Sequence, residues 1–230
     1  MSIKIIAVDI DGTLTDNGGG SINLTALSML RNLTKIGYKV VLVSGRSSIE
    51  GYILAVFGGL TRIAVGENGG VITNSPSNHI LLTDKSYSEK AFEILSKSIE
   101  NVKIKNVFPR LTEVVLERSF DIHEGERILR EHSLPVIITD SMYAYHLNYK
   151  DINKAVGFKK VLDMLGIKEE ESIAIGDSET DVPLFRLCSH SIALGNASKY
   201  VKEQAMYSVK NSNGDGLIEA IEYITSNILR

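Results

Sequence analysis

The sequence predicts an α/β protein, a Rossmann-like and mostly parallel sheet with helices on both faces, interrupted by a small inserted α+β domain. Three observations carry this. Short β-branched apolar runs alternate with amphipathic stretches in the first third of the chain. The same alternation resumes in the last third. Between them the order changes to helix, strands, helix and hairpin. Alternating β and α segments imply parallel strands joined by right-handed crossovers.

In order, residues 3–8 are apolar and β-branched, as a buried strand requires. Leu24, Leu27, Leu30 and Leu33 repeat along one side of a helix that Gly37 stops. Residues 38–43 form the next strand. Ile49, Ile53, Val56 and Phe57 mark a second helix, closed by Gly58-Gly59. Residues 63–65 are a third strand, followed by the turn signal Glu67-Asn68-Gly69-Gly70 and an extended 71–73. After the insertion, Ala155, Phe158, Val161, Leu162 and Leu165 form a helical stripe ending at Gly166. Residues 172–175 and 191–194 are strands, with Leu184 and Leu187 facing inward on a short helix between them. Leu217, Ile221 and Ile224 belong to a final helix.

The inserted unit has a helix marked by Phe92, Leu95 and Ile99, and strands at 103–107 and 113–118. Asp121 and Glu124 are spaced as a capping box that opens a second helix. Residues 136–139 and 143–147 form a hairpin around Asp140-Ser141. The expected boundaries are 1–82 and 152–230 for the core and 83–151 for the insertion.

The chain has 230 residues, enough for such a core plus an insertion. Its 28 acids and 25 bases give a formal charge of -3, without the basic excess of a nucleic-acid-binding surface. No apolar stretch is long enough for a membrane span. The first residues enter a strand directly, so no signal peptide is expected. A single cysteine, Cys188, leaves no internal disulfide and suits a reducing compartment. A cytoplasmic protein is expected, with no nucleic-acid or membrane partner, as a monomer or homodimer.

Polar clusters sit at strand exits. Asp9 and Asp11 follow the first strand, Ser44-Gly45-Arg46 the second, Gly176 to Asp181 the strand at 172–175, and Gly195-Asn196 the last. In an open parallel sheet these exits share one edge, where ligands bind. Ionised carboxylates there are costly unless a cation or donors offset them. The simplest account is Mg²⁺ and a phosphoryl group, with Asp9 a nucleophile and Asp11 a proton carrier.

Asp9-Ile10-Asp11-Gly12-Thr13, Ser44, Lys154 and Gly176-Asp177-Ser178-Glu179-Thr180-Asp181 occur in that order, each beside its expected element. Together they resemble the haloacid dehalogenase superfamily of phosphohydrolases over the whole chain. The resemblance implies that Asp9 attacks phosphorus and forms an aspartyl-phosphate, while Asp11 protonates the leaving oxygen and then activates water. It implies that Thr13, Ser44 and nearby N–H groups, including that of Gly45, bind phosphoryl oxygens, that the Asn196 side chain reaches the phosphate region, and that Lys154 is the balancing cation. Magnesium would take oxygen from Asp9, the Asp11 carbonyl, Asp177, and Asp181 or water.

Local alternatives stand beside each role. Asp177, Asp181, Ser44 and Asn196 also suit helix caps. Lys150, Lys159 and Lys160 neighbour Lys154, which Ala155 follows where many relatives carry Gly. Glu67-Asn68-Gly69-Gly70 reads as a plain turn or as the ENGA turn of the branch with the second cap type.

Residues 16–43 hold one loop and one helix, so no cap fits there, whereas residues 71–153 hold the inserted unit. That position resembles the second cap class (C2B), in its sucrose-phosphate-phosphatase-like branch. The short cap with Pro109-Arg110-Leu111-Thr112-Glu113 resembles the archaeal phosphoglycolate phosphatases. A small phosphorylated metabolite, foremost 2-phosphoglycolate, is the implied substrate. Arg110 either clamps its carboxylate or is a surface arginine at a strand start. His123, His132 and His146 are too scattered for a metal site. A sugar-phosphate phosphatase or phosphosugar mutase shares these core motifs. A receiver-type signalling module fits poorly, because it has no use for Asp11.

Overall fold

The computed structural model describes residues 2–16, 20–141 and 143–229. It opens with β1 (Ile5–Val8), a two-strand flap of β2 (Thr15–Asp16) and β3 (Ser21–Ile22), and helix α1 (Leu24–Lys35). Strand β4 (Lys39–Val43), helix α2 (Ser48–Gly58) and strand β5 (Ala64–Gly66) follow. A single 3-10 turn at Glu67–Gly69 leads into the hairpin of β6 (Val71–Ser75) and β7 (Asn78–Leu81). The inserted segment holds α3 (Ser86–Ser98), β8 (Val114–Leu116), α4 (Ile122–Glu131), β9 (Val136–Asp140) and β10 (Tyr145–Tyr149). The chain then returns through α5 (Lys154–Leu165), β11 (Ser172–Gly176), α6 (Val182–Leu187), β12 (His190–Ala193), α7 (Lys199–Gln204), β13 (Tyr207–Ser208) and α8 (Asn213–Asn227).

The large sheet has eight strands in the order β13-β12-β11-β1-β4-β5-β6-β7. It is parallel from β13 to β5, and β6 and β7 close the edge antiparallel. β1 lies between β11 and β4 and is buried throughout. Side chains alternate across a strand, so β1 feeds two cores. Ile6 and Val8 join Leu42, Ile173 and Ile175 beneath α1 and α8. Ile5 and Ala7 join Val41, Val43 and Ala174 beneath α5, through Phe158, Val161 and Leu162. One buried layer on each face makes the central strands the rigid base from which the loops project.

The inserted segment folds around a three-stranded antiparallel sheet in the order β8-β10-β9. Ala91 and Leu95 of α3, with Ile128 and Leu129 of α4, pack on Val114, Leu116, Ile138, Tyr145 and Leu147. The other sheet face carries Thr139, His146 and Asn148, of which the last two are buried.

Several sequence expectations need correction. Residues 103–107 form no strand, because only Ile104 makes an isolated bridge to Leu116. Leu24 is 76% exposed, and Ala26 takes its place in the buried face of α1. The stripe assigned to α2 is not its buried face: Phe57 is 81% and Ile53 46% exposed, with Ile49 and Val56 half-buried, while Ser48, Gly51, Ala55 and Gly58 are the buried positions. A Cβ on Gly51 would stand 3.1 Å from that of Ala64, so the helix sits close because its inner side is small. Strand β7, helix α7 and strand β13 lack any distinctive sequence period.

Candidate active site

The turn after β1 brings its two carboxylates to different surroundings. The Ile10 carbonyl accepts the N–H groups of Thr13, Leu14 and Thr15, which folds the chain back at once. Gly12 sits at φ +77°, and a Cβ there would meet the Asp177 carboxylate at 2.3 Å. Only glycine lets the turn and the acidic loop approach so closely. Asp9, at the end of β1, is 4% exposed. Asp11 faces outward, where Arg46 holds it.

Lys154 opens α5, whose N-cap Asn153 accepts the N–H groups of Ala155 and Val156. Its side chain is 2% exposed, and its ammonium lies 2.9 Å from Asp9 Oδ1 and 2.7 Å from Asp181 Oδ1. The Gly at position 157 lets this helix settle against the turn at Gly69, where a Cβ would come within 2.8 Å of backbone.

The loop after β11 supplies Asp177 and Asp181. Asp181 Oδ2 accepts the N–H of Asp177 at 3.1 Å and the N–H and Oγ–H of Ser178 at 3.0 and 2.9 Å. Asp181 therefore has both oxygens engaged. Asp177 is clamped from two sides: Thr13 Oγ1 donates to Oδ1 at 2.6 Å and Asn196 Nδ2 to Oδ2 at 2.8 Å. Asn196 also donates to the Gly12 carbonyl at 2.9 Å. Ser44 is buried, and its Oγ accepts the Arg46 N–H at 3.1 Å. Gly45 lends its carbonyl to Arg110 Nη1 at 2.7 Å. Arg110 is thus drawn aside from the acids, bridging cap loop to core loop and also pairing with Glu113 at 2.8 Å, and Asp11 is likewise turned away on Arg46.

One ligand atom from each of Asp9, Asp177 and Asp181 falls within 4.8 Å of the others. Two of these acids hold the one ammonium and the third stands beside them, and the titration behaviour follows. Burial, then Asp181, pushes Asp9 well above the usual carboxylate range, and Lys154 offsets only part of this. Asp177 is pushed up to about 6 by burial and by Asp181. Burial would lower Lys154, but Asp181 and Asp9 outweigh it and raise the amine. This excess negative charge, presented on oxygen alone, suits a hard divalent cation.

A cavity of about 80 Å³ adjoins Lys154, walled by Asn68, Thr180 and Pro183 of the core and by Ile137, Thr139 and Asn148 of the cap. A wider depression of about 270 Å³ at Lys159, Asp163 and Glu169 lies at the other end of α5 and includes none of the acids.

Sequence reasoning missed four contributors. Arg46 engages Asp11. Glu67, fully buried, accepts the N–H groups of Leu111 and Thr112 and the Thr112 hydroxyl, tying the core turn to the cap loop. Glu113 and Asn148 belong to a buried polar cluster with His146. The alternation Tyr145-His146-Leu147-Asn148-Tyr149 was the available signal, since it puts His146 and Asn148 on one face.

The comparisons with known proteins agree with this architecture. The sequence model for haloacid dehalogenase-like hydrolases matches residues 6–133 and 121–221. A phosphoglycolate phosphatase of Nitrosopumilus maritimus (strain SCM1) is 50% identical over 222 residues, 96% of either chain. One from Archaeoglobus fulgidus is 36% identical over 222 residues, again 96% of either chain. Among solved structures, Thermoplasma acidophilum 0175 superposes with a TM-score of 0.85 at 25% identity, over 98% of this chain and 99% of that one. A subclass IIB sugar phosphatase superposes at 0.78 with 19% identity, over 96% and 99%, and supports the fold alone. With both family-model matches spanning the core and the cap, and full-length relatives at this identity, the chain belongs to the haloacid dehalogenase-like hydrolases, as a phosphatase.

Proposed function

We propose that this protein is a Mg²⁺-dependent phosphomonoesterase that works through an aspartyl-phosphate on Asp9, with 2-phosphoglycolate as its foremost substrate. The observation that carries the reading is the buried Asp9 carboxylate, which touches Lys154 at 2.9 Å and shares a cluster with Asp177 and Asp181. The names of the archaeal relatives support the substrate.

Asp9 and Asp177 would hold the metal, with Asp181 contributing through its charge or through a water, since its own oxygens are engaged. When bound, the cation neutralises carboxylate and phosphoryl charge. Asp9 then attacks phosphorus, the bond from phosphorus to the leaving oxygen breaks, and Asp11 gives that oxygen a proton. Asp11 next takes a proton from water as the water attacks the aspartyl-phosphate. Inorganic phosphate leaves and Asp9 is regenerated. Lys154 keeps Asp9 aimed and partly neutralised throughout. Thr13 and Asn196 fix Asp177, and the Ser44 hydroxyl and the Gly45 N–H would meet the phosphoryl oxygens. Arg110 holds the cap loop against Gly45.

The test is phosphate release from 2-phosphoglycolate by the purified protein, with and without Mg²⁺. Metal-dependent release is expected. Failure to release phosphate from this ester and from an aryl phosphate would overturn the reading.

A further inference from the structure

Asn148 is 4% exposed, lines the cavity beside Lys154, and has an Oδ1 with no hydrogen-bond partner among the described residues. A buried amide oxygen without a donor is costly, so its persistence needs a reason. The orientation of the amide is determined by its surroundings. Nδ2 donates to Glu113 Oε2 at 2.8 Å. Glu113 also takes Arg110 Nη1 at 2.8 Å and lies 3.1 Å from His146 Nδ1. Burial would raise this carboxyl, yet His146, Arg110 and Asn148 together hold it below its ordinary range, as an acceptor. Turning the amide over would set Oδ1 against that carboxylate. The one unpaired group of the amide is therefore an acceptor.

The remaining lining fits the same chemistry. Thr139, across from His146 on β9, adds a hydroxyl, and Ile137, across from Asn148, adds an apolar wall. Lys154, the only cation on the lining, is committed to Asp9 and Asp181. Such a space suits a small leaving group that offers a hydrogen-bond donor.

We infer that Asn148 accepts a hydrogen bond from a hydroxyl of the leaving group, so that small hydroxylated phosphomonoesters are substrates alongside 2-phosphoglycolate. Glu113 acts as the positioning residue that keeps the Asn148 acceptor on offer. This inference rests on the phosphatase reading above.

The test compares ethyl phosphate, 2-hydroxyethyl phosphate and 2-phosphoglycolate, which share a two-carbon leaving group. The wild-type protein is expected to prefer the hydroxyethyl ester to the ethyl ester by about tenfold or more in kcat/KM, the scale of one good hydrogen bond. In Asn148→Leu that ratio should fall toward one. In Glu113→Gln, where a neutral amide permits Asn148 to turn over, the ratio should also fall while 2-phosphoglycolate gains relative to the hydroxyethyl ester. A purely structural role for Glu113 would lower all three substrates together. A wild-type ratio near one, with ethyl phosphate still hydrolysed, overturns this inference and leaves the phosphatase reading standing. No release from any of the three, nor from an aryl phosphate, overturns both.

Discussion

Arg46 grips Asp11 with two arms of its guanidinium, Nε to Oδ2 and Nη2 to Oδ1, each at 2.7 Å. The remaining arm pairs with Glu50 at 3.1 Å, inside the capping box of α2. Asp9 and Asp11 leave one strand two residues apart, yet one is dry beside an ammonium and the other is half exposed on an arginine. Environments that differ this much are how two carboxylates take different roles. To act as acid and base, Asp11 has to leave Arg46.

That exchange predicts a mild phenotype for Arg46→Ala. An ion pair this exposed contributes about 0.5–1 kcal/mol at most. The substitution should therefore change kcat by less than about tenfold, and added salt should reduce the difference between variant and wild type. A loss as complete as that of a nucleophile variant would instead assign Arg46 to the phosphoryl group.

Asp9→Asn should abolish turnover, by a factor of about 10⁴ or more. It should not weaken the metal-free fold. Asp9 is raised well above its usual range, so its ionised form is the destabilising one, and the neutral amide resembles the protonated state. The expected outcome at neutral pH without metal is a Tm equal to or higher than that of wild type. A lower Tm would mean that the Lys154 contact outweighs the crowding of acids.

The same crowding predicts a pH dependence. Asp177 titrates at about 6 in the fold against an ordinary 3.8. Below the lower value both folded and unfolded chains hold the proton. Between the two, the unfolded chain releases it while the fold retains it, so metal-free stability should decline as pH rises through this window and then level off. Metal binding needs the ionised form and should weaken up to about tenfold per unit below pH about 6. Calorimetric titration with Mg²⁺ across this range checks the slope. In Asp177→Asn the Asp177 contribution should vanish from both curves.

Glu67→Ala removes the carboxylate that gathers three donors from Leu111 and Thr112. Stranding these groups should cost about 2–3 kcal/mol in a denaturant titration, and should speed proteolysis near residues 105–112. Glu67→Gln, which keeps one acceptor, should recover part of the loss. Stability unchanged in Glu67→Ala would show that the cap loop is held by other contacts.

Arg110→Ala separates two roles for the side chain on Gly45 and Glu113. As a strut it should weaken turnover of 2-phosphoglycolate and of an aryl phosphate by similar factors. A selective rise in KM for the carboxylated ester would assign the guanidinium to the substrate.

Much of this was legible in the sequence because strand exits of a parallel sheet fall on one edge. Asp9, Ser44, Asp177, Asp181 and Asn196 could be grouped on that ground without coordinates, and Lys154 through the resemblance to the haloacid dehalogenase motifs. What escaped was set by packing partners. The outward turn of Phe57 follows from the small residues Gly51 and Ala55, whose value lies in close approach and not in hydrophobicity. Residues 103–107 have strand-like composition but pair only through Ile104. Glu67 looked like part of a glycine-rich turn because its partners, Leu111 and Thr112, lie far along the chain. The direction in which Asp11 and Arg110 point depends on Arg46 and Gly45, and no local pattern encodes that choice.

The alternation along β9 and β10 has an evolutionary consequence. Tyr145, Leu147 and Ile138 anchor the helices of the cap, while their immediate neighbours Thr139, His146 and Asn148 lie on the opposite face of the sheet, Thr139 and Asn148 lining the cavity shared with the core. Substitution at Ile137 or Thr139 can thus alter this face without touching the helical core, whereas His146 and Asn148 stay tied to the buried Glu113. A lineage carrying this scaffold can drift between metabolites while its reaction machinery, lodged on other loops, stays unaltered.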